Sequence, residues 1–168
     1  MIYLKDCLEG MKELDDRSVS AIVTSPPYNL NINYGRYSDN KPRQEYLSWL
    51  VDIFREAKRV LEDDGHLFVN MGYSNIDPWV GIEVGLALRE DWILQNHINW
   101  VKSIHVNGKT SGHFKPINSK RFVCPTWEHL FHFTKDGNVE IDRLSIGVKY
   151  EYYEANIRGN NTAETKPN

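Results

Sequence analysis

Leu47, Leu50, Val51 and Phe54 recur at helical spacing, with Leu61 extending the stripe and Arg55, Glu56, Lys58 and Arg59 opposite it. Gly65 then stands as a helix stop before the apolar run Leu67–Met71. A one-sided helix followed at once by a buried strand requires a sheet with helices packed on it. The same alternation recurs along the chain. Ile2–Leu4 is a short apolar run, Cys7–Leu14 reads as a helix with Leu8, Met11 and Leu14 on one side, and Val19–Thr24 is rich in β-formers. Asp77-Pro78 reads as an N-cap and first helical position for a helix reaching about Leu88. Trp92–Lys102 and Trp127–Phe133 read as strands, the second closing on Asp136-Gly137. The expected fold is α/β, a mostly parallel sheet with Ile93–Lys102 and Trp127–Phe133 as an antiparallel edge pair.

At 168 residues and 40% hydrophobic content, one domain is expected. A net charge of −3 leaves no global basic field, so an anionic partner must be held by a local patch. No apolar run is long enough for a membrane span, and Met1–Asp6 lacks the pattern of a signal peptide, so a cytoplasmic location is expected. Cys7 and Cys124 are far apart and outside any CxxC spacing, which fits reduced thiols better than a disulfide or zinc site. His129 and His132 lie three apart on a strand and therefore on opposite faces; with His97 they form no metal set and read as core or edge residues. Trp49, Trp79 and Trp92 read as core or interface aromatics.

The most chemical segment is Thr24-Ser25-Pro26-Pro27-Tyr28-Asn29, at the point where a strand ends and a polar loop, Asn29–Arg43, begins. Open α/β sheets place their ligand crevice at such strand ends. The two prolines lack N–H donors and fix carbonyl directions, Ser25 adds an acceptor, and Tyr28 adds a flat face. Such a set suits an amino group on a ring: the amine donates to Ser25 and a proline carbonyl while Tyr28 stacks on the ring. Read without context, SPPY is only a proline turn with a half-buried tyrosine.

The context makes more of it. The chain resembles the amino-directed DNA methyltransferases, in the permuted class whose catalytic half precedes the cofactor-binding half. The resemblance rests on Ser25–Tyr28 as the (D/N/S)PP(Y/F) motif, on Tyr46–Val69 with VLEDDGHLFVNMG, on HINWVK at His97–Lys102 and on TWEHLFHFTKDG at Thr126–Gly137, in the family's order. It implies a Rossmann-like S-adenosylmethionine-dependent methyltransferase fold, with Ser25, Pro26, Pro27 and Tyr28 catalytic and Thr24 and Ser25 beside the cofactor. Ile2–Asp6 looks like the family's opening strand, which makes Asp6 the counterpart of an acidic group near the cofactor's adenine. The family's glycine-rich cofactor loop is absent: there is no GxGxxG, and Gly81 and Gly85 fall in a helical stretch. The fold is thus expected to be incomplete on the cofactor side, whether through truncation, a second polypeptide that carries the cofactor half, or degeneration.

The implied reaction is transfer of a methyl group from S-adenosylmethionine to the exocyclic amine of a base flipped out of double-stranded DNA, as in restriction-modification systems. Serine at the first motif position leans toward cytosine N4 over adenine N6. No covalent intermediate and no metal is implied, and Cys124-Pro125 has the reverse order of the carbon-5 class nucleophile. Between Trp100 and Lys135, six Lys and Arg residues face one acidic residue, with Phe114, Phe122 and Trp127 interleaved, a composition suited to phosphate contact and base stacking. Lys115, Lys120 and Arg121 are the candidates there, and Asn29 follows the motif itself. Tyr34 and Tyr37, in the same loop, either close over the base or cover the sheet edge. Residues 1–136 are read as the catalytic region, with 103–126 as its DNA-facing loop, and 137–168 as a polar tail or the start of the next half. Two other readings compete: a non-catalytic DNA-binding or complementing subunit, and a methyltransferase acting on a protein glutamine amide. Ser25 in place of asparagine and the basic loop argue against the latter.

Overall fold

The computed structural model describes residues 2–35, 37–112 and 118–142. Helix α1 (Cys7–Lys12) leads into β1 (Val19–Thr24), then α2 (Arg43–Val60), β2 (Leu61–Met71), α3 (Val80–Leu88) and β3 (Ile93–Val101). A small hairpin, β4 (Ser103–Val106) and β5 (Lys109–Gly112), precedes β6 (Trp127–Thr134). The main sheet has the order β1-β2-β6-β3, with β1–β2 parallel and both β2–β6 and β6–β3 antiparallel. The expected antiparallel pair, β3 with β6, is present at one edge. The parallel part is the single pair β1–β2 among the described residues.

Helix α2 buries Tyr46, Leu50, Phe54, Ala57 and Val60, while Leu47 and Val51 are only partly covered. They meet Leu67, Val69 and Met71 of β2, Phe131 and Phe133 of β6, and Val80, Val84 and Leu88 of α3. Alternation along the strands puts these sheet residues on one face. Each such side chain removed from water contributes about 1.5–3 kcal/mol, so this face carries most of the apolar driving force. Gly81 and Gly85 let α3 sit close: a Cβ would stand 2.8 Å from His129 Cδ2 or 3.0 Å from Phe131 Cζ. The other face carries Phe68, Leu130, Val23, Ile98 and Trp100, of which the last three are exposed.

Several local expectations are corrected. Ile2–Leu4 forms no strand, and its side chains stand in solvent. Helix α1 ends at Lys12, which leaves Leu14 outside it and exposed. Gly65 does not stop a helix. Leu61 already belongs to β2, and Gly65 lies where the β1–β2 register slips between Val19↔Leu61 and Ala21↔His66. The Glu62–Gly65 stretch therefore reads as a bulge, a common use of glycine inside a strand. Asp77 does not cap α3, whose N-cap is Trp79 without a side-chain bond; Asp77 instead pairs with Arg43. Trp79 is mostly exposed rather than core. The expected long loop contains the β4–β5 hairpin, turned by Asn107 and Gly108, both at positive φ, the pairing favoured in tight hairpin turns.

Arg59 fastens the entry of the chain to α2. Its guanidinium donates to the carbonyls of Met11 and Leu14 at 2.9 and 3.0 Å and pairs with Asp16 and Glu56. This fixes α1 and the turn before β1, and so the direction in which β1 delivers its last residues.

Candidate active site

Ser25 to Tyr28 leave the carboxyl end of β1. Asn70 lies at the same end of β2, Lys102 just past β3, and Glu128 at the start of antiparallel β6. Four separate segments thus converge on one end of the sheet. The Tyr28 hydroxyl is their meeting point. It lies 2.7 Å from Ser25 Oγ, accepts from Asn70 Nδ2 at 2.7 Å and faces Glu128 Oε2 at 3.5 Å. Asn70 Nδ2 also donates to Glu128 Oε2 at 2.8 Å, and Lys102 Nζ donates to Glu128 Oε1 at 2.7 Å.

Gly72 makes this convergence sterically open. A Cβ there would stand 2.5 Å from Tyr28 Cε2 and 3.1 Å from Glu128 Oε1, so any side chain would evict the ring. The Pro27 carbonyl accepts from the fully buried Tyr46 hydroxyl at 2.7 Å, which anchors the motif to α2. Ser25 is exposed, and no hydrogen bond to the Pro26 carbonyl forms among the described residues. Of the two acceptors expected to face an amine, Ser25 is thus exposed and Pro26 part-buried, with Tyr28 half-buried and hydrogen-bonded to the serine.

Burial pushes the Tyr28 phenol above its ordinary value, with the Ser25 hydrogen bond opposing and the Glu128 charge adding to the rise. Burial also pushes the Glu128 carboxyl up, but hydrogen bonds from Lys102 and Asn70, with the ammonium charge, outweigh it and leave Glu128 below the usual carboxylate range. The site thus holds a neutral phenol against an ionised carboxylate at neutral pH.

The loop after the motif is tied down from within. Asp39, buried, accepts from the backbone N–H groups of Asn29, Leu30 and Ile32 at 2.8, 3.0 and 3.0 Å. The Asn29 side chain exchanges two hydrogen bonds with the Lys41 backbone, at 2.9 and 2.7 Å, so its amide is committed to closing the loop. Tyr37 packs on Trp49 at 5.3 Å between ring centroids, and Tyr34 remains exposed.

Elsewhere the expected residues are dispersed. Asp6 caps α1, accepting from the N–H groups of Leu8 and Glu9 at 2.9 and 3.2 Å. Thr24 ends β1 opposite Val69. Lys120 and Arg121 are exposed, with Arg121 over the Phe122 ring at 4.8 Å, while Lys115 lies outside the described residues. Two cations of the basic stretch are neutralised locally: Lys102 by Glu128, and Lys135 by the Leu61 carbonyl and Asp63. His97 bonds His129 at 2.9 Å and His66 bonds His132 at 3.0 Å, one pair on each face of the sheet. Among the described residues no group of three or more metal-ligating side chains gathers. None of the helices there is long and apolar enough to cross a membrane.

Asn70, Glu128, Lys102 and Gly72 were not legible as site residues. The signals available were the glycine ending the apolar run of β2, since a glycine at a strand end marks a close approach, and the place of all four residues in the segments that carry the family resemblance.

A family model described as DNA methylase, of the N6/N4 type, matches residues 19–167. The chain belongs to this amino-methyltransferase family. Type II methyltransferase M.BglII of Bacillus subtilis is 33% identical over 94% of this chain and 43% of its own length. M.HpaI of Haemophilus parainfluenzae is 28% identical over 95% of this chain and 48% of its own. The chain spans about half the length of the curated relatives it matches. Among solved structures, the cytosine-N4-specific PvuII DNA methyltransferase superposes with a TM-score of 0.69 at 19% identity, over 86% of this chain and 52% of that one. A putative DNA modification methylase of Thermus thermophilus, complexed with S-adenosyl-L-methionine, superposes at 0.54 and 20% identity, over 81% of this chain and 55% of that one. The fold is thus that of the DNA methyltransferases.

Proposed function

We propose that the chain is the catalytic half of a site-specific Type II DNA methyltransferase that methylates the exocyclic amine of a flipped base. The observation that carries this is exposed Ser25, next to a Pro26 carbonyl without a hydrogen-bond partner among the described residues and bonded to a Tyr28 hydroxyl held by Asn70, with the Tyr28 ring close against Gly72. Cytosine N4 is favoured over adenine N6. A serine at the first motif position supports it, as does the likeness to a cytosine-N4-specific enzyme.

S-adenosylmethionine supplies, when bound, an electrophilic methyl group on sulfur. The described residues fit the acceptor side of that reaction and not a full cradle for the donor. The family resemblance would put Thr24 and Ser25 beside it, but Asp6 is committed to a helix cap, and no glycine-rich turn follows a strand among the described residues. The exposed Val23, Ile98 and Trp100 on the second sheet face add an uncovered apolar surface. Both features support a second half, in the same or another polypeptide, that completes the sheet and the donor site.

Within this half, Ser25 and Pro26 accept from the amine N–H groups, which draws the nitrogen lone pair out of conjugation and toward the incoming methyl. Tyr28 stacks on the ring and fixes its plane. Lys120 and Arg121, with Lys115, contact DNA phosphates, and Asn29 contributes by shaping the loop beside the base.

Transfer of radiolabelled methyl from S-adenosylmethionine to duplex DNA tests the reading, with the chain supplied together with its completing half. Ser25→Ala should cut turnover about a hundredfold, the scale of losing one aligned polar partner in a transition state, with DNA affinity little changed. Equal loss of affinity and turnover would remove Ser25 from the reacting centre. A complementing, non-catalytic role is the second reading, favoured by the lack of a donor cradle among the described residues. It predicts that DNA binding persists while no pairing of halves yields labelled DNA.

A further inference from the structure

The Tyr28 hydroxyl has one proton and two neighbours that could receive it, Ser25 Oγ at 2.7 Å and Glu128 Oε2 at 3.5 Å. The direction of that proton decides what Ser25 can offer a base. If Tyr28 donates to Ser25, the serine oxygen spends acceptor capacity on a phenol, and the Glu128 carboxylate faces a phenol lone pair. If Tyr28 donates toward Glu128, Ser25 donates into Tyr28 and keeps both lone pairs.

Asn70 restricts the choice further. Its Nδ2 donates to both Tyr28 and Glu128, and rotating the amide would set its oxygen against the carboxylate. The amide stays fixed even though Asn70 Oδ1 is left buried without a partner among the described residues. Tyr28 must therefore accept from Asn70. Its capacity is filled only when it also accepts from Ser25 and donates to Glu128. A hydrogen bond to an ionised acceptor is also the stronger kind, which favours closure of the 3.5 Å gap.

We propose that Glu128, held by Lys102 and Asn70, is a positioning residue for the Ser25–Tyr28 pair. It takes the Tyr28 O–H, turns the Ser25 O–H onto Tyr28, and so leaves both Ser25 lone pairs for the amine of the base. This rests on the proposed function for the identity of that amine, but the hydrogen-bond direction is a property of the chain itself. The arrangement gives a neutral serine a share of the acceptor strength that a carboxylate at its position would have.

The test reads the Tyr28 phenol directly, by NMR titration of the full chain labelled at tyrosine Cζ, with the Tyr28 resonance assigned by its loss in Tyr28→Phe. Ser25→Ala should raise the Tyr28 titration midpoint, because a donor to the phenolate is removed. Glu128→Gln should lower it, and Lys102→Met should raise it. A downward move in Ser25→Ala, or a Glu128→Gln curve that overlays the parent, would overturn the assignment. In the completed enzyme, Glu128→Gln should lower kcat about tenfold without moving KM for DNA, and should add nothing to Ser25→Ala. Additive losses would overturn it too. A parent that transfers no methyl counts against the proposed function alone, and the titration still decides the role of Glu128.

Discussion

Strand β6 faces two different environments. On the side covered by α2 and α3 it offers His129, Phe131 and Phe133, packed against helices and β2 in a mostly apolar layer. On the other side it offers Glu128, Leu130 and His132, where Glu128 belongs to a polar network at the motif end and exposed Ile98 and Trp100 stand nearby. Alternation along a strand allows one segment to serve both. The two faces should fail in different ways: a change on the covered face is expected to cost folding, and one at the polar end to cost the proposed function.

The largest effect expected on the covered face is from Phe133→Ala. Phe133 is buried against Trp92 and Leu67, and its truncation should cost about 3–5 kcal/mol in chemical denaturation. The folded fraction should keep its Tyr28 environment. Loss of the Tyr28 NMR signature in that fraction would show that the two faces are not separable.

Gly72→Ala strikes the polar end. Its Cβ would occupy the Tyr28 ring position, so turnover should drop by about tenfold or more while stability falls by about 1–2 kcal/mol, within the range for an overpacked site. A variant with full turnover would mean that Tyr28 does not need its place over the strand.

The histidine pairs let acid compare the faces. Burial, then the charge of His97, holds His129 below the ordinary imidazole value; burial, then His66, does the same for His132. In the unfolded chain both rings take up protons as the pH falls through about 6.5, while the folded rings stay neutral. The unfolded state then binds more protons, so stability is present above that value and is lost as the pH falls toward the lower folded values. Melting temperature should decline between about pH 7 and 5. His129→Phe and His132→Phe should each flatten part of that decline, and a pH-independent melting temperature would remove both rings from the balance.

The smallest effect belongs outside both faces. Lys120→Ala with Arg121→Ala should weaken DNA binding and lower the slope of log affinity against log salt by about 2, with stability unchanged. An unchanged slope would leave the basic stretch as a solvated loop.

Sequence reading succeeded where one period dominated. The α2 stripe, the strand at Val19–Thr24 and the edge pair are all present, although only α2 and β6 bury most of their apolar residues and β1 and β3 leave theirs partly or fully exposed. It failed where a residue served tertiary geometry. Gly65 looked like a helix stop but sits in a strand irregularity, and Asp77 looked like a cap but is drawn to Arg43 across 34 residues. Asn107-Gly108 carried a hairpin signal that the surrounding loop composition obscured. The motif was legible because its chemistry is contiguous. Its supports were not, since Asn70 and Glu128 are 58 residues apart and meet only when β2 and β6 pair.

Asp39 gathers three amides of the loop that follows the motif. In hydrogen exchange those amides should behave as one cooperative unit, because freeing any of them means withdrawing the same carboxylate. One carboxylate thus decides the order of the whole segment after the motif, so a change that withdraws Asp39 frees all three amides together.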